Sequence, residues 1–227
     1  MRVLAIDTAL EACSAAVLDT VRAEIIARES IPMVRGHAEG LMPLVARVLD
    51  QAKLAFTDLH RVAVTVGPGS FTGLRVGIAA ARGIALAAGK PAVGLSTLAA
   101  FAAPHIAADD TLPVVAAIDA RHDHVYLQVF GPGGRTLVAP RIASLRDALR
   151  VAASGKPRLA GTGAKMLAAA WPEMEAPPSL VDESRAPEID WVARLGAAAA
   201  ETGAPPKPLY LRAPDAQPQD AAQLPRR

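Results

Sequence analysis

The residues whose types could do chemistry in this sequence are two aspartates and a glycine-rich turn. Asp7 and Asp119 each end a short apolar run, and Gly67-Pro68-Gly69-Ser70 lies between another apolar run and an alanine-rich segment. Free amides at a helix start favour an anion, and a nearby carboxylate is typical of sites that hold a metal-bound phosphate. The sequence therefore offers weak nucleotide-binding candidates at Asp7, Gly67, Gly69 and Ser70.

Other features count against a working phosphate site. The lysine of a Walker loop is absent from the turn. An aspartate after an apolar strand is commonly a turn residue, and neither Asp7 nor Asp119 has a supporting lysine, glutamine or second carboxylate close in sequence. A purely structural turn is supported equally well.

The histidines give no complete site. His37 opens a predicted helix, and a histidine four residues later would place two metal ligands on one face, but that position is Leu41. The cluster His122-Asp123-His124 stands at a predicted turn, where a solvated turn is favoured over a metal site. Ser70 has no histidine nearby to act as its base. We therefore predict no catalytic residue and no metal in this chain.

Composition narrows the class of protein. The 227 residues are 52% hydrophobic with a mean hydropathy of +0.26, enough for one large domain or two small ones. A net charge of +2 argues against a large nucleic-acid surface. The single cysteine, Cys13, excludes an internal disulfide. The apolar stretch 78–88 is too short to span a bilayer. We expect a cytoplasmic protein without a membrane contact.

The order of predicted elements repeats along the chain. The first half gives strands at 2–8, 12–18 and 23–27, a helix at 37–52, a strand at 61–66, a helix at 72–88, a strand at 91–95 and a helix at 96–103. The second half gives strands at 114–119, 125–130 and 135–139, a helix at 144–153, a strand at 158–160 and helices at 164–170 and 190–200.

This repetition predicts an α/β protein with the duplicated actin-like ATPase fold. Each subdomain would contain a mixed sheet with flanking helices. The predicted bounds are 1–104 for the first subdomain and 105–204 for the second. A proline-rich tail follows at 205–227, in which 209–212 is a possible added strand.

The helix predicted at 72–88 carries two stripes. Gly73, Gly77, Ala81 and Ala85 recur every four residues and share one face. Arg75 and Arg82, seven apart, share another. A ridge of small residues lets a second helix approach closely, either inside this chain's own domain or from another chain. The spacing alone leaves both interpretations open.

Five segments together resemble the TsaB family, also called YeaZ. The segments are Ala5-Ile6-Asp7-Thr8, the glycine-rich stretch from Gly67 to Arg75, Gly94-Leu95-Ser96-Thr97-Leu98, Ile118-Asp119-Ala120-Arg121 and Tyr210-Leu211-Arg212. The resemblance spans nearly the whole chain. It implies an actin-like fold with a degenerate second subdomain, and a non-catalytic paralogue of TsaD. TsaD is the transferase that forms N6-threonylcarbamoyladenosine in tRNAs reading ANN codons.

The resemblance also implies partners. A TsaB-like chain would bind and support TsaD, the P-loop ATPase TsaE would join them, and a homodimer would form when TsaD is absent. Such a chain needs no cofactor of its own, although ATP or ADP is possible at the junction with TsaD, and it meets tRNA only indirectly. Leu41 stands where TsaD has the second histidine of its metal pair. One departure is His124, where relatives commonly have glutamate.

The resemblance further implies a docking face made by the two helices at 37–52 and 72–88. On this basis Gly77→Leu should abolish TsaD binding and leave the fold intact. Two alternatives from other classes stay open: a free-standing actin-like ATPase or sugar kinase, and, with less support, a metallopeptidase-like hydrolase. The interface candidates are Leu41, Leu44, Val45, Val48, Gly73, Gly77, Ala81 and Ala85.

Overall fold

The computed structural model describes residues 1–153 and 155–212. The first half forms a five-stranded mixed sheet in the order β3-β2-β1-β4-β5, in which β2 is antiparallel to its neighbours and β4 and β5 are parallel to β1. Its strands are β1 (Arg2–Asp7), β2 (Ala12–Asp19), β3 (Glu24–Pro32), β4 (Arg61–Gly67) and β5 (Ala92–Ser96).

The second half repeats this sheet, in the order β8-β7-β6-β9-β10 with the same pattern of directions. Its strands are β6 (Val114–Asp119), β7 (His124–Phe130), β8 (Thr136–Ser144), β9 (Arg158–Ala160) and β10 (Leu180–Asp182). The duplicated actin-like fold predicted from the order of elements is therefore confirmed. Strand β10 is the one strand of the two sheets that the sequence pattern did not predict.

Six α-helices cover the two sheets in the described part of the chain. Their bounds agree with the predicted periodicity to within a few residues. Ser70 and Ser96 cap two of them, accepting hydrogen bonds from Gly73 N and Ala99 N. The helices are α1 (His37–Ala52), α2 (Phe71–Ala88), α3 (Thr97–Ala108), α4 (Leu145–Ala152), α5 (Ala164–Ala169) and α6 (Ile189–Ala198).

The third helix of each half packs on the sheet of the other half. Helix α3 lies on β6, where Leu98 and Phe101 join a buried cluster with Val114. Helix α6 lies on β1, β2 and β4, where Val192 packs with Val3 and other residues of the first sheet. The predicted boundary between residues 104 and 105 falls inside α3, so a division by sequence order does not describe the packing.

Helices α3 and α6 are thus exchanged between the halves, and two buried arginines hold them in place. Arg61, the first residue of β4, donates to the carbonyl oxygens of Gly196, Ala197 and Ala199 at the end of α6, and to Glu201. A helix end leaves carbonyls without intrahelical partners, so Arg61 caps α6 through Nη1 and pairs with Glu201 through Nη2, while its buried Nε has no partner among the described residues.

Arg158, the first residue of β9, does the same for the other exchanged helix. It donates to the carbonyl oxygens of His105, Asp109 and Leu112, at and just after the end of α3. Each half therefore uses one arginine, at the same position of its sheet, to hold the helix that the other half supplies.

The strand register shows which residues of the two sheets occupy equivalent positions. Leu4 pairs with Val62, and Val115 pairs with Leu159, with the two arginines one residue before those partners. Leu4 and Val115 are thus equivalent, which makes Asp7 equivalent to Ile118. Asp119 is one residue further along, and because successive side chains alternate between faces, the two aspartates point to opposite faces of their sheets.

Candidate partner-binding face and the glycine turn at its end

The glycine turn between β4 and α2 is packed against the loop that follows β1. The Ser70 amide donates to the Ala9 carbonyl oxygen at 2.8 Å. A Cβ on Gly69 would lie 2.5 Å from that same oxygen, and a Cβ on Gly73 would overlap the Thr8 carbonyl oxygen. The turn therefore serves to bring two backbone segments together, and its Ser70 amide already has a protein partner.

Asp7 is fully buried beside this turn. Its Oδ1 accepts hydrogen bonds from Thr65 Oγ1 at 2.5 Å and from the Ala9 amide at 3.2 Å, while Oδ2 has no partner among the described residues. Burial raises the pKa of the Asp7 carboxyl from 3.8 to about 6, against the lowering effect of these hydrogen bonds. A carboxyl enclosed in this way takes part in the internal hydrogen bonding of the fold and has no exposed surface through which to bind a ligand.

A cleft of about 770 Å³ lies between the two halves and is lined by residues of both. Gly69, Ser70 and Asp119 line it, and Asp7 does not. The structure therefore does not bring the two aspartates together. Arg185 of the second half donates to Glu11 of the first half at 2.6 Å beside this cleft, and so links the two halves.

The histidines have structural partners. His37 is buried and its Nε2 donates to the Leu10 carbonyl oxygen at 3.1 Å. At the other turn, Arg121, His122 and Asp123 all have positive φ, and the His124 Nδ1 donates to the His122 carbonyl oxygen at 2.6 Å. Within residues 1–153 and 155–212, no three His, Cys, Asp or Glu side chains come together as a possible metal site.

The eight interface candidates named from the sequence lie on the inner faces of α1 and α2. All of them are buried in this chain's own core, and a Cβ on Gly77 would overlap Thr8 Oγ1. The structure corrects the assignment of these side chains to a partner contact, because all eight are packed inside this chain; Gly73 and Gly77 permit the close approach of Thr8 in the loop after β1. The eight residues withdrawn from the partner contact are Leu41, Leu44, Val45, Val48, Gly73, Gly77, Ala81 and Ala85.

The outer faces of α1 and α2 carry a different set of residues, which we call the outer face. On α2 they repeat with the spacing of one helical stripe, and Leu86 is 85% exposed. A Cβ on Gly83 would meet no atom within 4 Å. The outer face comprises Met42, Pro43 and Ala46 on α1, and Thr72, Arg75, Val76, Ala79, Arg82, Gly83 and Leu86 on α2, each of them exposed or half-exposed.

Helix α2 is long and apolar for a helix of this protein. Among the described helices, α2 is the one long and apolar enough, by length and composition, to cross a membrane. In this fold Leu74 and Ile78, on its inner side, are buried in the core of the first sheet. The same helix thus has a core side and an exposed side that is only weakly polar.

An aromatic cluster stands at the first turn of α2. The rings of Phe71 and Tyr210 are stacked with their centres 5.7 Å apart, and the Arg75 guanidinium lies 3.6 Å from the centre of the Phe71 ring. Arg75 Nε also donates to the Tyr210 hydroxyl at 3.2 Å. No sequence pattern connects Tyr210 with Phe71 and Arg75, because they are far apart in the chain.

The predicted added strand in the tail is not formed. Pro205, Pro206 and Pro208 lack backbone donors, and the Leu209 amide donates to the Val66 carbonyl oxygen at 2.7 Å without a strand forming around it. The rest of the predicted tail, residues 213–227, lies outside the described residues.

Comparisons with known proteins place these features in a family context. A family model described as TsaD, tRNA N6-adenosine threonylcarbamoyltransferase, matches residues 22–185. The tRNA threonylcarbamoyladenosine biosynthesis protein TsaB of Escherichia coli is 44% identical over 128 residues, which are 56% of this chain and 53% of that protein. An uncharacterised protein of Mycobacterium bovis is 36% identical over 222 residues, covering 95% of this chain and 94% of that protein.

Among solved structures, YeaZ from Pseudomonas aeruginosa superposes with a TM-score of 0.77 at 31% identity. The superposition covers 92% of this chain and 99% of that one. The sequence match thus spans about half the length of the curated E. coli relative, while the likeness to the solved structure extends over nearly all of both chains.

Proposed function

Because this chain belongs to the TsaB (YeaZ) family, we propose that it takes part in the formation of N6-threonylcarbamoyladenosine in tRNA. Its part in that pathway is to bind and support the transferase TsaD as a non-catalytic partner. The outer face of α1 and α2 is the docking surface. Bond formation belongs to TsaD.

The two-sided character of α2 is the observation that carries this proposal. Its inner side is committed to this chain's core, so the exposed Leu86 and the unobstructed Gly83 have no role inside the chain. A glycine in an exposed helix interior costs about 1 kcal/mol relative to alanine. Small residues on an exposed helix face allow another helix to approach closely, which gives that cost a function.

The description of the matching family model names the transferase TsaD, so an enzymatic role for this chain is the alternative to be weighed. Leu41, where the resemblance expects the second metal-binding histidine of TsaD, is buried in the core. The buried Asp7 and the occupied Ser70 amide also give little support to an independent ATPase or sugar kinase. These features favour an accessory role and, we propose, a chain that needs no cofactor of its own.

The same face accounts for the other proposed assemblies. In the absence of TsaD, a second copy of this chain would cover it in a two-fold homodimer, since a self-complementary patch closes by that symmetry. TsaE would join the TsaD complex as its ATPase, and any ATP or ADP would be held at the TsaD junction. We place the complex in the cytoplasm, where tRNA is met through TsaD.

The test is a binding titration of the purified chain against purified TsaD, repeated with Gly83→Leu. A leucine at this exposed position leaves the core untouched and holds a partner helix away, so we expect at least a tenfold loss of affinity. Arg146→Leu on the exposed side of α4 is the matched control, because it adds the same side chain to a helix of the other half. It should bind as the wild type does.

An activity assay gives the second measurement. Modified adenosine should form in a mixture of tRNA, TsaD, TsaE and the threonylcarbamoyl donor when this chain is added, and its yield should fall with Gly83→Leu. Threonylcarbamoyl transfer by this chain alone would overturn the accessory role. Unchanged TsaD affinity in Gly83→Leu would overturn the placement of the docking surface.

A further inference from the structure

The segment 205–212, here called the C-terminal strap, runs from the end of α6 across the edge of the first sheet to α2. Pro206 is buried and lies close to Gly94 of β5. Further along, the Leu209 amide donates to the Val66 carbonyl oxygen. The Leu209 carbonyl oxygen then passes so close to Gly67 that a Cβ there would lie 2.9 Å from it. The strap is thereby fixed over the end of β4.

Tyr210 is the residue through which the strap meets the outer face. Its ring stacks on Phe71 with an angle of 29° between the planes, and its hydroxyl accepts from Arg75 Nε. Arg75 in turn lies over the Phe71 ring. Each of the three side chains therefore restricts the other two, in a cluster that combines aromatic stacking with a cation–π contact.

The cluster is contiguous with the docking surface proposed above. Phe71 and Arg75 are one helical turn apart at the start of α2, and the exposed stripe continues from them through Val76 and Ala79. After forming their mutual contacts, the Phe71 side chain is still 53% exposed and Tyr210 is 48% exposed. Tyrosine and arginine held rigid at a surface are the residue types that dominate binding energy in protein interfaces.

We propose that Tyr210 is a positioning residue of the docking surface: the strap holds the Phe71 and Arg75 side chains in the orientation that TsaD meets. This inference rests on the proposed function and adds to it a second, distant segment of the chain on which binding depends. Preordering these side chains lowers the conformational entropy that the complex would otherwise lose on binding.

The experiment measures TsaD affinity for the full chain carrying Tyr210→Ala, Tyr210→Phe or Arg75→Lys. Tyr210→Ala removes both the stack and the hydrogen-bond acceptor, and we expect affinity to fall about 10- to 30-fold. Tyr210→Phe keeps the stacked ring and should bind within about threefold of wild type. Arg75→Lys loses the planar group that stacks on Phe71 and should resemble Tyr210→Ala.

Two further measurements separate positioning from a merely structural role. The melting temperature of Tyr210→Ala should match wild type, because the ring is half exposed. Hydrogen exchange at the Leu209 amide should accelerate, because its bond to Val66 depends on the strap staying in place. Met174→Ala, at a fully exposed residue of the second half, is the control and should leave TsaD affinity unchanged.

The outcomes distinguish this inference from the proposal on which it rests. If Gly83→Leu loses TsaD binding and Tyr210→Ala binds within twofold of wild type, the docking surface stands and the positioning role is overturned. If Tyr210→Phe loses as much affinity as Tyr210→Ala, the stacked ring contributes nothing and the positioning of Phe71 by Tyr210 is overturned. If the wild-type chain does not bind TsaD, both proposals fall together.

Discussion

The two halves of this chain build the same five-stranded sheet and then cover it differently. In the first half, α1 and α2 contain 16 and 18 residues, and α2 exposes a long, weakly polar face. In the second half, the corresponding helices α4 and α5 contain 8 and 6 residues. The sheet order, the capping arginine and the exchanged helix are shared between the halves; the long helix pair belongs to the first alone.

This difference separates what the fold requires from what the proposed docking requires. Both halves need Arg61 or Arg158, because each must hold a helix that comes from the other half. The second half retains these parts with short helices, so the length of α1 and α2 is not needed to cover a sheet. The extra length is best explained by the outer face, and substitutions that compare equivalent positions can test this.

The largest expected effect comes from the inner side of α2. Gly77→Leu would place a side chain into Thr8, whose hydroxyl leaves no room. We expect a loss of about 3 kcal/mol or more in the free energy of unfolding, with little folded protein recovered. Gly83→Leu, on the outer side of the same helix, should keep the unfolding free energy within about 1 kcal/mol of wild type, as measured by chemical denaturation.

This expectation replaces the one drawn from the sequence, in which Gly77→Leu was to lose TsaD and keep the fold. A Gly77→Leu chain with wild-type stability would show that α2 can move away from the loop after β1. That result would show that the inner side of α2 is no more tightly packed than its outer side.

The next largest effect compares the two capping arginines. Arg61→Met and Arg158→Met each remove the donor to three carbonyls at or just after a helix end; a fully buried unsatisfied group costs about 1–3 kcal/mol, and the part-buried ones cost less because water can reach them. We expect each variant to lose roughly 2–4 kcal/mol of unfolding free energy. Because the helices are exchanged, both should still unfold in one transition by fluorescence and circular dichroism. Two separate transitions would contradict the interdependence of the halves.

The aspartates give a pH-dependent comparison. The folded pKa of Asp7, about 6, lies above its ordinary value of 3.8, so the folded state binds this proton more tightly. The resulting stabilisation is complete below pH 3.8 and is lost as the pH rises through 6, by about 3 kcal/mol in all. Asp7→Asn should therefore be more stable than wild type at pH 8, with a gain of about 2–3 kcal/mol.

That gain should shrink as the pH is lowered from 7 to 4, because wild-type Asp7 then becomes neutral as well. Asp119→Asn is the matched control, since Asp119 is exposed, and should show little change at any pH. Urea denaturation at several pH values measures both. The wild-type chain alone could instead hydrolyse nucleotide, and loss of that turnover in Asp7→Asn would support the ATPase alternative.

The smallest effect concerns glycine itself. Gly83→Ala adds a methyl group in open space on α2 and should raise the unfolding free energy by about 0.5–1 kcal/mol. Gly196→Ala, in α6, would push a methyl group into Ala63 of β4 and should destabilise the chain. Melting temperatures that change in opposite directions would confirm that Gly196 of α6 is needed for packing, while Gly83 of α2 is kept for another reason.

Much of the fold could be predicted because local patterns determine it. The apolar periodicity gave α1 correctly from His37 to Ala52, and Ser70 and Ser96 marked the starts of two other helices. The repeated element order gave the duplication. Strand β10 was missed because it is three residues long, too short to show a period.

The candidate site could not be predicted to the same extent, because its details depend on tertiary contacts. Small residues also occur on the outer side of α2, at Ala79 and Gly83, so the spacing of Gly73 and Gly77 could not show which side faces the core. Asp7 and Asp119 both end apolar runs, but only the pairing of the strands shows that they are one residue out of register. Tyr210 lies 139 residues beyond Phe71 in the numbering, and no local pattern connects them.

The exchange of α3 and α6 also limits how this molecule can be divided. A cut in the segment 109–113 would leave each fragment with one sheet surface bare and one helix without its intended support. Neither piece is then a self-sufficient unit, but each carries what the other lacks. Mixing separately expressed fragments should restore an assembled particle, so the duplicated chain behaves as two complementary pieces joined by a linker.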